Sequence, residues 1–171
     1  MDALKQWIRD VPDFPKPGIV FKDITPLLQS PEGFQLCMNA LVEQHAAESF
    51  DVIAGVESRG FLFGTPLALA MNKPFVPVRK PGKLPWKTER VEYALEYGTD
   101  ALEVHVDAVE KGSRVLVIDD LLATGGTAAA SIELFERIGA EVVGASFVVE
   151  LGFLGGRERI SPVKTHALLT Y

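Results

Sequence analysis

At 171 residues the chain has the length of one ordinary domain, and 47% hydrophobic with 23% charged residues predicts a globular protein with a sizeable core. The formal net charge of −6 disfavours non-specific binding to nucleic acid or to an anionic membrane surface. The single cysteine, Cys37, excludes an intramolecular disulfide, and we expect it to be a buried thiol. No apolar stretch reaches the ~18 residues of a membrane span and the N-terminus is too polar for a signal peptide, so we expect a cytoplasmic protein.

The first half of the chain is predicted to alternate between helices and strands. Ser30 followed by Pro31 marks a helix start, because serine caps free N–H groups and proline fits the first turn. Pro66 lies inside another helical pattern and predicts a boundary or a kink. The predicted elements are a short helix (2–9), a loop (10–18), an extended segment (19–24), a helix (30–49), a buried strand (51–56), a helix (60–71) and a strand (75–80).

The second half of the chain contains a βαβ pattern. Residues 81–91 are polar and rich in breakers, which predicts a mobile loop, and two alternating segments around Gly98-Thr99-Asp100 predict a hairpin. A strand (114–119), a helix (126–138) and a second strand (141–150) follow, and both strands are almost uniformly apolar. The predicted fold class is therefore α/β, with a central, mostly parallel sheet flanked by helices and an antiparallel hairpin added to it.

The most informative stretch is VLVIDDLLATGGTAAAS, residues 115–131. Ligands of open α/β sheets bind beyond the carboxyl ends of the strands, where Asp119 and Asp120 are predicted to lie. Gly125 and Gly126 let an anion approach the free N–H groups of the following helix, and the flanking threonines add hydroxyl donors. The aspartates suit sugar hydroxyls or a magnesium shell. A phosphate site beside a diol site describes a ribose 5-phosphate.

A plain strand–helix turn capped by the aspartates is the alternative interpretation, because short glycine motifs occur by chance. Two adjacent like charges repel each other and a cap needs only one, which favours a binding site. The sequence contains neither the Walker phosphate-loop motif nor the GxGxxG dinucleotide motif. One cysteine and three scattered histidines, to which no role is assigned, argue against a zinc site.

Residues VLVIDDLLATGGT resemble the phosphoribosyl pyrophosphate signature of type I phosphoribosyltransferases. Further segments resemble, in order, the blocks of the adenine phosphoribosyltransferase family: FPKPGIVFKDITPLL, IAGVESRGFLFG, VPVRKPGKLP and YALEYGTDALEVH. The similarity extends from Phe14 to Tyr171, and no role is assigned to residues 86–90. It implies the type I phosphoribosyltransferase fold as a single domain over residues 1–171, with a twisted sheet, a hairpin lid and a small N-terminal hood.

The resemblance also implies a reaction. The family transfers the 5-phosphoribosyl group from phosphoribosyl pyrophosphate to adenine, giving AMP and pyrophosphate in purine salvage. Magnesium is the implied cofactor, held mainly by substrate and water. A homodimer is implied, because in the family one basic residue reaches in from the neighbouring subunit.

Two other functions stay open at this point. One is transfer to another purine base, namely hypoxanthine, xanthine or guanine. The other is a non-catalytic regulator that senses phosphoribosyl pyrophosphate. Such a regulator needs a surface for DNA or RNA, and an acidic chain of one domain's length offers little room for it.

The resemblance assigns two groups of residues to the phosphates of the substrate. The ribose and the 5-phosphate are assigned to Asp119, Asp120, Ala123, Thr124, Gly125, Gly126 and Thr127. The pyrophosphate is assigned to Glu57, Ser58, Arg59, Arg79, Lys80 and Lys83. A cis peptide bond between Glu57 and Ser58 is also implied. Without the resemblance, the basic residues of segment 79–90 would be a solvated charge run and Ser58 a helix cap.

The adenine site and the proton chemistry are assigned by the resemblance as well. The adenine contacts are assigned to Val20, Phe21, Arg59 and Leu121. Val20 is implied to read the base edge through its backbone, while Phe21 and Leu121 cover the ring faces. Glu96 and Arg59 are the implied catalytic residues, and Tyr97 belongs to the lid. From the sequence alone, Phe21 would be a core residue and Glu96 a solvent-facing strand residue.

Overall fold

The computed structural model describes residues 2–14, 16–95 and 98–171. It contains two compact units, Met1–Ala46 and Ala47–Tyr171, here called the N-terminal unit and the C-terminal unit. No helix among the described residues is both long and apolar enough to cross a membrane. The single-domain organisation stays a prediction.

The N-terminal unit combines a short hairpin with helices. Its elements are a 3-10 helix (Asp2–Trp7), strands β1 (Arg9–Pro12) and β2 (Val20–Asp23), and helices α1 (Thr25–Gln29) and α2 (Pro31–His45). The strands pair antiparallel, so the predicted loop over 10–18 is wrong at its start. Ion pairs across the strands, Arg9–Asp23 at 2.6 Å and Lys22–Asp10 at 2.7 Å, support a pairing that the hydrophobic pattern does not reveal.

Helix α2 begins as its sequence predicts. The Ser30 hydroxyl accepts a hydrogen bond from the Gly33 N–H at 3.0 Å, and Pro31 is the first helical residue. The helix ends at His45, four residues before the predicted end. Cys37 is fully buried, and burial raises the pKa of its thiol to about 12, which confirms a buried and unreactive cysteine.

The C-terminal unit is built on a five-stranded sheet in which all neighbouring strands are parallel. This confirms the predicted parallel sheet. Its strands are β3 (Val52–Val56), β4 (Phe75–Val78), β7 (Arg114–Leu122), β8 (Glu141–Glu150) and β9 (Thr165–Thr170), and their order across the sheet is β4-β3-β7-β8-β9. Its helices are α3 (Gly60–Ala70), α4 (Gly126–Arg137) and α5 (Gly156–Arg159), and Gly152–Leu154 form a 3-10 turn.

Helices α3 and α4 cover opposite faces of the sheet. Gly64 of α3 lies against Ile118, whereas Leu134 of α4 packs in one buried cluster with Val115 and Val117. Because successive strand residues point to opposite faces, the two helices lie on the two sides of β7. Helix α3 continues through Pro66, so the predicted boundary there is wrong.

The hairpin predicted from alternation is present but shifted along the chain. Strands β5 (Thr88–Leu95) and β6 (Gly98–His105) pair antiparallel, with Tyr93 opposite Asp100. Residues 98–100 therefore begin a strand rather than form the turn, and the predicted loop over 81–91 ends at residue 87. Alternation of apolar residues sets the faces of the strands but does not fix the turn.

Candidate functional site

A cavity of about 340 Å³ lies at the carboxyl ends of β3 and β7 in the C-terminal unit. Since β3 and β7 are parallel neighbours, their carboxyl ends meet at one edge of the sheet. The predicted site residues that line the cavity are Glu57, Ser58, Arg59, Lys80, Asp119, Asp120, Leu121, Ala123, Thr124, Gly125, Gly126 and Thr127. The sequence stretch that joins the two aspartates to the glycine pair is thus one wall of a single cavity.

Some predicted site residues lie elsewhere. Arg79 and Lys83 do not line the cavity, but both contact Glu57, which does. Val20 and Phe21 belong to the N-terminal unit. Glu96 and Tyr97 lie outside the described residues. The cavity also contains residues that the sequence did not single out, namely Tyr93, Leu102, Leu122, Ala128 and Phe147.

The turn between β7 and α4 has the backbone geometry of an anion site. Gly125 has φ +77°, a left-handed conformation that side chains disfavour, and a Cβ atom there would lie 2.7 Å from the Gly156 carbonyl oxygen. Helix α4 begins at the next residue without a capping side chain. The first N–H groups of a helix lack intrahelical partners and carry partial positive charge, so they can donate hydrogen bonds to a phosphate here.

The two aspartates at the end of β7 have different environments. The Asp120 carboxylate, only 6% exposed, accepts a hydrogen bond from Arg59 Nε at 2.5 Å. Asp119 is partly buried, and its Oδ1 accepts the Asp120 N–H at 2.9 Å. Burial, with the charge of Asp120 as the second cause, raises the pKa of Asp119 well above its usual value. Asp120 is therefore a charge already balanced by Arg59, whereas Asp119 is biased towards its neutral form.

Three basic residues contact the carboxylate of Glu57, at the end of the cavity away from the glycine turn. Glu57 accepts hydrogen bonds from Lys83 Nζ at 2.5 Å, from the Lys80 N–H at 2.9 Å and from Arg79 Nε at 3.4 Å. Burial opposes ionisation of Glu57, but these hydrogen bonds outweigh it and hold its pKa below the usual value. The peptide bond between Glu57 and Ser58 is cis, which confirms that prediction.

A chain of hydrogen bonds connects the basic end of the cavity to the glycine turn. Lys80 Nζ donates to Asp100 Oδ2, which also accepts from the Tyr93 hydroxyl at 3.4 Å. The Thr127 hydroxyl in turn donates to the Tyr93 oxygen at 3.4 Å. The bond to Asp100 raises the pKa of Lys80, and burial is the main cause of the raised pKa of Tyr93. The network therefore joins a charged lysine to a neutral phenol.

The carboxylates of the cavity do not form a cage for a resident metal ion. Asp120 is paired with Arg59, and the raised pKa of Asp119 reduces its negative charge. Glu57 forms ion pairs with Lys83 and Arg79. A hard divalent cation prefers several charged oxygen ligands, so these residues fit a magnesium ion that enters with an anionic substrate and keeps its own water.

Comparison with known proteins agrees with this geometry. The model of the phosphoribosyl transferase domain matches residues 23–167. The chain is 56% identical over 171 residues to an adenine phosphoribosyltransferase of Anaeromyxobacter dehalogenans, with 100% of this chain and 99% of that one covered.

Solved structures show the same architecture. The adenine phosphoribosyltransferase of Thermoanaerobacter pseudethanolicus matches with a TM-score of 0.96 at 50% identity, covering 99% of both chains. The Saccharomyces cerevisiae enzyme, complexed with an imino-altritol bisphosphate and adenine, matches with a TM-score of 0.92 at 43% identity, covering 98% of this chain and 97% of that one. The predicted type I fold is thus confirmed. The chain belongs to the phosphoribosyl transferase domain family and, within it, to the adenine phosphoribosyltransferases.

Proposed function

We propose that this chain transfers the 5-phosphoribosyl group of phosphoribosyl pyrophosphate to adenine, giving AMP and pyrophosphate in purine salvage. The observation that carries the proposal is the two-ended cavity, which has an anion-binding turn at one end and clustered cations at the other. Two anionic groups joined by a sugar suit a cavity with these two ends. The full-length relatedness to adenine phosphoribosyltransferases supports adenine as the base.

The turn at residues 124–127 holds the 5-phosphate of the sugar. Its backbone N–H groups and the hydroxyls of Thr124 and Thr127 belong to residues that line the same cavity as the ribose-binding aspartates. Asp120, which is paired with Arg59, accepts a hydrogen bond from a ribose hydroxyl. Asp119, with its raised pKa, can also donate one.

The cations at the other end of the cavity bind the leaving pyrophosphate. Arg59 and Lys80 line the cavity and neutralise developing charge as the bond to the anomeric carbon breaks. Arg79 and Lys83 reach the pyrophosphate by exchanging the Glu57 carboxylate for phosphate oxygens. Magnesium, when bound, would shield the pyrophosphate oxygens further and would be held mainly by substrate and water.

The proposed contacts to the base come from segments that lie far apart in the sequence. Val20 reads the adenine edge through its backbone, and Phe21 and Leu121 cover the ring. Glu96 handles the proton on the base while Tyr97 closes over it, which would supply general acid–base assistance of ~10²–10⁴-fold. A neutral ring nitrogen is a poor nucleophile, so proton movement on the ring is needed as its bond to the sugar forms.

We infer that the active form is a cytoplasmic homodimer. Helix α3 presents Leu62 and Leu69 to solvent, 44% and 84% exposed, although its other face is buried (Phe63, Leu67 and Ala68). An exposed apolar helix face of this kind favours association with a second copy of the chain. A dimer would also allow one basic residue of each chain to serve the site of its partner.

The experiment mixes purified protein, magnesium and phosphoribosyl pyrophosphate with adenine, hypoxanthine, guanine or xanthine in turn. We expect rapid AMP formation and far slower use of the oxo-purines, because these carry N1–H and a carbonyl where adenine has an acceptor and an amino donor. Each unpaired buried group costs ~1–3 kcal/mol. Comparable turnover of hypoxanthine would show a different base specificity. Pyrophosphate release without nucleotide formation from any base would show hydrolysis instead of transfer.

A further inference from the structure

One cation beside the glycine turn was not singled out by the sequence. Arg159 is the last residue of α5 and is exposed. A Cβ atom built on Gly126 would lie 3.3 Å from Arg159 Nη1 and 3.6 Å from its Cζ. A Cα–Cβ bond is about 1.5 Å long, so the guanidinium lies within about 5 Å of the Gly126 Cα atom. Arg159 therefore reaches the first turn of α4, where the 5-phosphate is proposed to bind.

Two glycines bring α5 this close to the turn. A Cβ atom on Gly156 would lie 2.3 Å from the Ala123 carbonyl oxygen, and one on Gly125 would lie 2.7 Å from the Gly156 carbonyl oxygen. Real Cβ atoms do not approach so closely, so the two backbones meet only because neither residue has a side chain. A Cβ atom on Gly125 would also lie 3.3 Å from the Arg159 Cβ. Backbone packing therefore sets the place of Arg159.

The charge of Arg159 has no counter-ion within the described part of the chain. Its neighbour Arg157 differs, since it donates to Glu150 at 2.5 Å and to the Thr165 carbonyl at 2.6 Å. A cation beside a helix N-terminus adds to the partial positive charge that is already there, which is unfavourable in the free protein. A bound dianionic phosphate would reverse the sign of that interaction.

We propose that Arg159 is a binding residue for the 5-phosphate of the substrate, and this inference rests on the proposed transferase function. Backbone N–H groups and threonine hydroxyls are neutral donors, so they orient a phosphate but bring no full charge. Arg159 supplies that charge and a planar pair of N–H donors matched to phosphate oxygens. The absence of a side chain at Gly126 leaves the path between guanidinium and phosphate open.

The inference makes a selective prediction about ligands. AMP and phosphoribosyl pyrophosphate carry the 5-phosphate and should depend on Arg159, whereas pyrophosphate binds at the other end of the cavity and should not. Arg159→Ala should weaken AMP affinity about 10- to 100-fold, as expected for loss of a charge-assisted hydrogen bond. Arg159→Lys should recover part of this loss, because lysine keeps the charge but not the paired donors.

The test is titration calorimetry with AMP and with magnesium phosphoribosyl pyrophosphate, together with the KM for pyrophosphate in AMP cleavage. The variants are Arg159→Ala, Arg159→Lys and the control Lys111→Ala. The control removes one exposed positive charge near the amino end of β7, about 30 Å from the carboxyl end. Thermal unfolding checks that each variant is folded.

Five results separate the possibilities. Selective loss of AMP affinity that shrinks with added salt supports the inference. Wild-type AMP affinity in Arg159→Ala overturns it, and so does an equal loss of AMP and pyrophosphate binding, which would mark a structural role. A wild-type protein that neither binds nor forms AMP would instead overturn the proposed function. An equal loss in Lys111→Ala would reduce the effect to net charge and overturn the role of Arg159.

Discussion

The two ends of the cavity are built in different ways. The phosphate end comes from one continuous segment, residues 119–127, whose glycine turn is shaped by its own backbone and by the packing of α5. The pyrophosphate end is assembled from residues far apart in sequence, with Glu57 drawing in Arg79 and Lys83. One end is open to an anion before substrate arrives, whereas the cations of the other end are neutralised by the protein's own carboxylate. Preorganisation is therefore concentrated at the phosphate end.

The largest effect should come from breaking the phosphate end at Gly125. In Gly125→Ala the alanine must keep φ +77°, and its Cβ atom would lie 2.7 Å from the Gly156 carbonyl oxygen. The turn and α5 must therefore separate. We expect AMP affinity to fall about 100-fold or more, because charge-assisted contacts to the phosphate are lost together. Calorimetry with AMP measures this loss.

Gly112→Ala is the matched control for Gly125→Ala. Gly112 has φ +81°, but a Cβ atom there would meet nothing within 4 Å. Both variants should lose ~1–2 kcal/mol of stability from the left-handed backbone, while only Gly125→Ala should lose AMP binding. Equal AMP affinity in the two variants would place the phosphate elsewhere.

A second prediction concerns the cost of keeping two aspartates together. The folded-state pKa of Asp119 lies above its unfolded value, so folding binds a proton between those two values and stability falls as pH rises through that range. Asp119→Asn removes this cost and keeps an oxygen that can accept the Asp120 N–H. We expect its free energy of unfolding to exceed that of the wild type by ~0.5–2 kcal/mol at pH 7.5. We also expect the variant to lose activity.

Urea unfolding at two pH values checks the sign of the Asp119 effect. The stability difference between Asp119→Asn and wild type should shrink as pH falls below about 4, where the unfolded carboxyl is also protonated. A variant less stable than wild type at pH 7.5 would mean that Asp119 is ionised and favourably paired in the folded protein.

The smallest predicted effect sharpens the comparison from the pyrophosphate end. Glu57→Gln leaves the shape of the side chain but removes the charge that competes with pyrophosphate for Arg79 and Lys83. We expect pyrophosphate affinity to rise about 5-fold, equivalent to ~1 kcal/mol, with AMP affinity unchanged. The exposed Glu110→Gln serves as the control for net charge. Weaker pyrophosphate binding in Glu57→Gln would show that the carboxylate positions the cations rather than competes for them.

The geometry of residues 119–127 was predictable from the sequence because its determinants are local. An apolar strand, two aspartates and a glycine turn before a helix all lie within residues 115–131, and each has a direct backbone consequence. The parallel sheet followed in the same way from uniformly apolar strands. Capping by Ser30 was equally local and was predicted correctly.

What could not be predicted depends on contacts between distant segments. The four residues of α5 are too short to show a periodic pattern, and the proximity of Arg159 to Gly126 arises only when Gly156 packs on Ala123. Likewise, nothing local marks Tyr93 as a partner of Thr127 or Lys80 as a partner of Asp100. The hairpin turn was misplaced for a related reason, since Thr99 and Asp100 have turn-like side chains but pair with the opposite strand.

The central claim is that the turn at residues 124–127 binds the 5-phosphate of the nucleotide, and amide NMR during an AMP titration tests it most directly. Hydrogen bonds to a phosphate shift amide protons downfield, so the N–H signals of Gly125, Gly126 and Thr127 should move downfield and saturate at one AMP per chain. Pyrophosphate alone should leave these signals in place and instead shift those of Lys80 and Ser58. Saturable AMP binding that leaves the amides of residues 125–127 unmoved would contradict the claim.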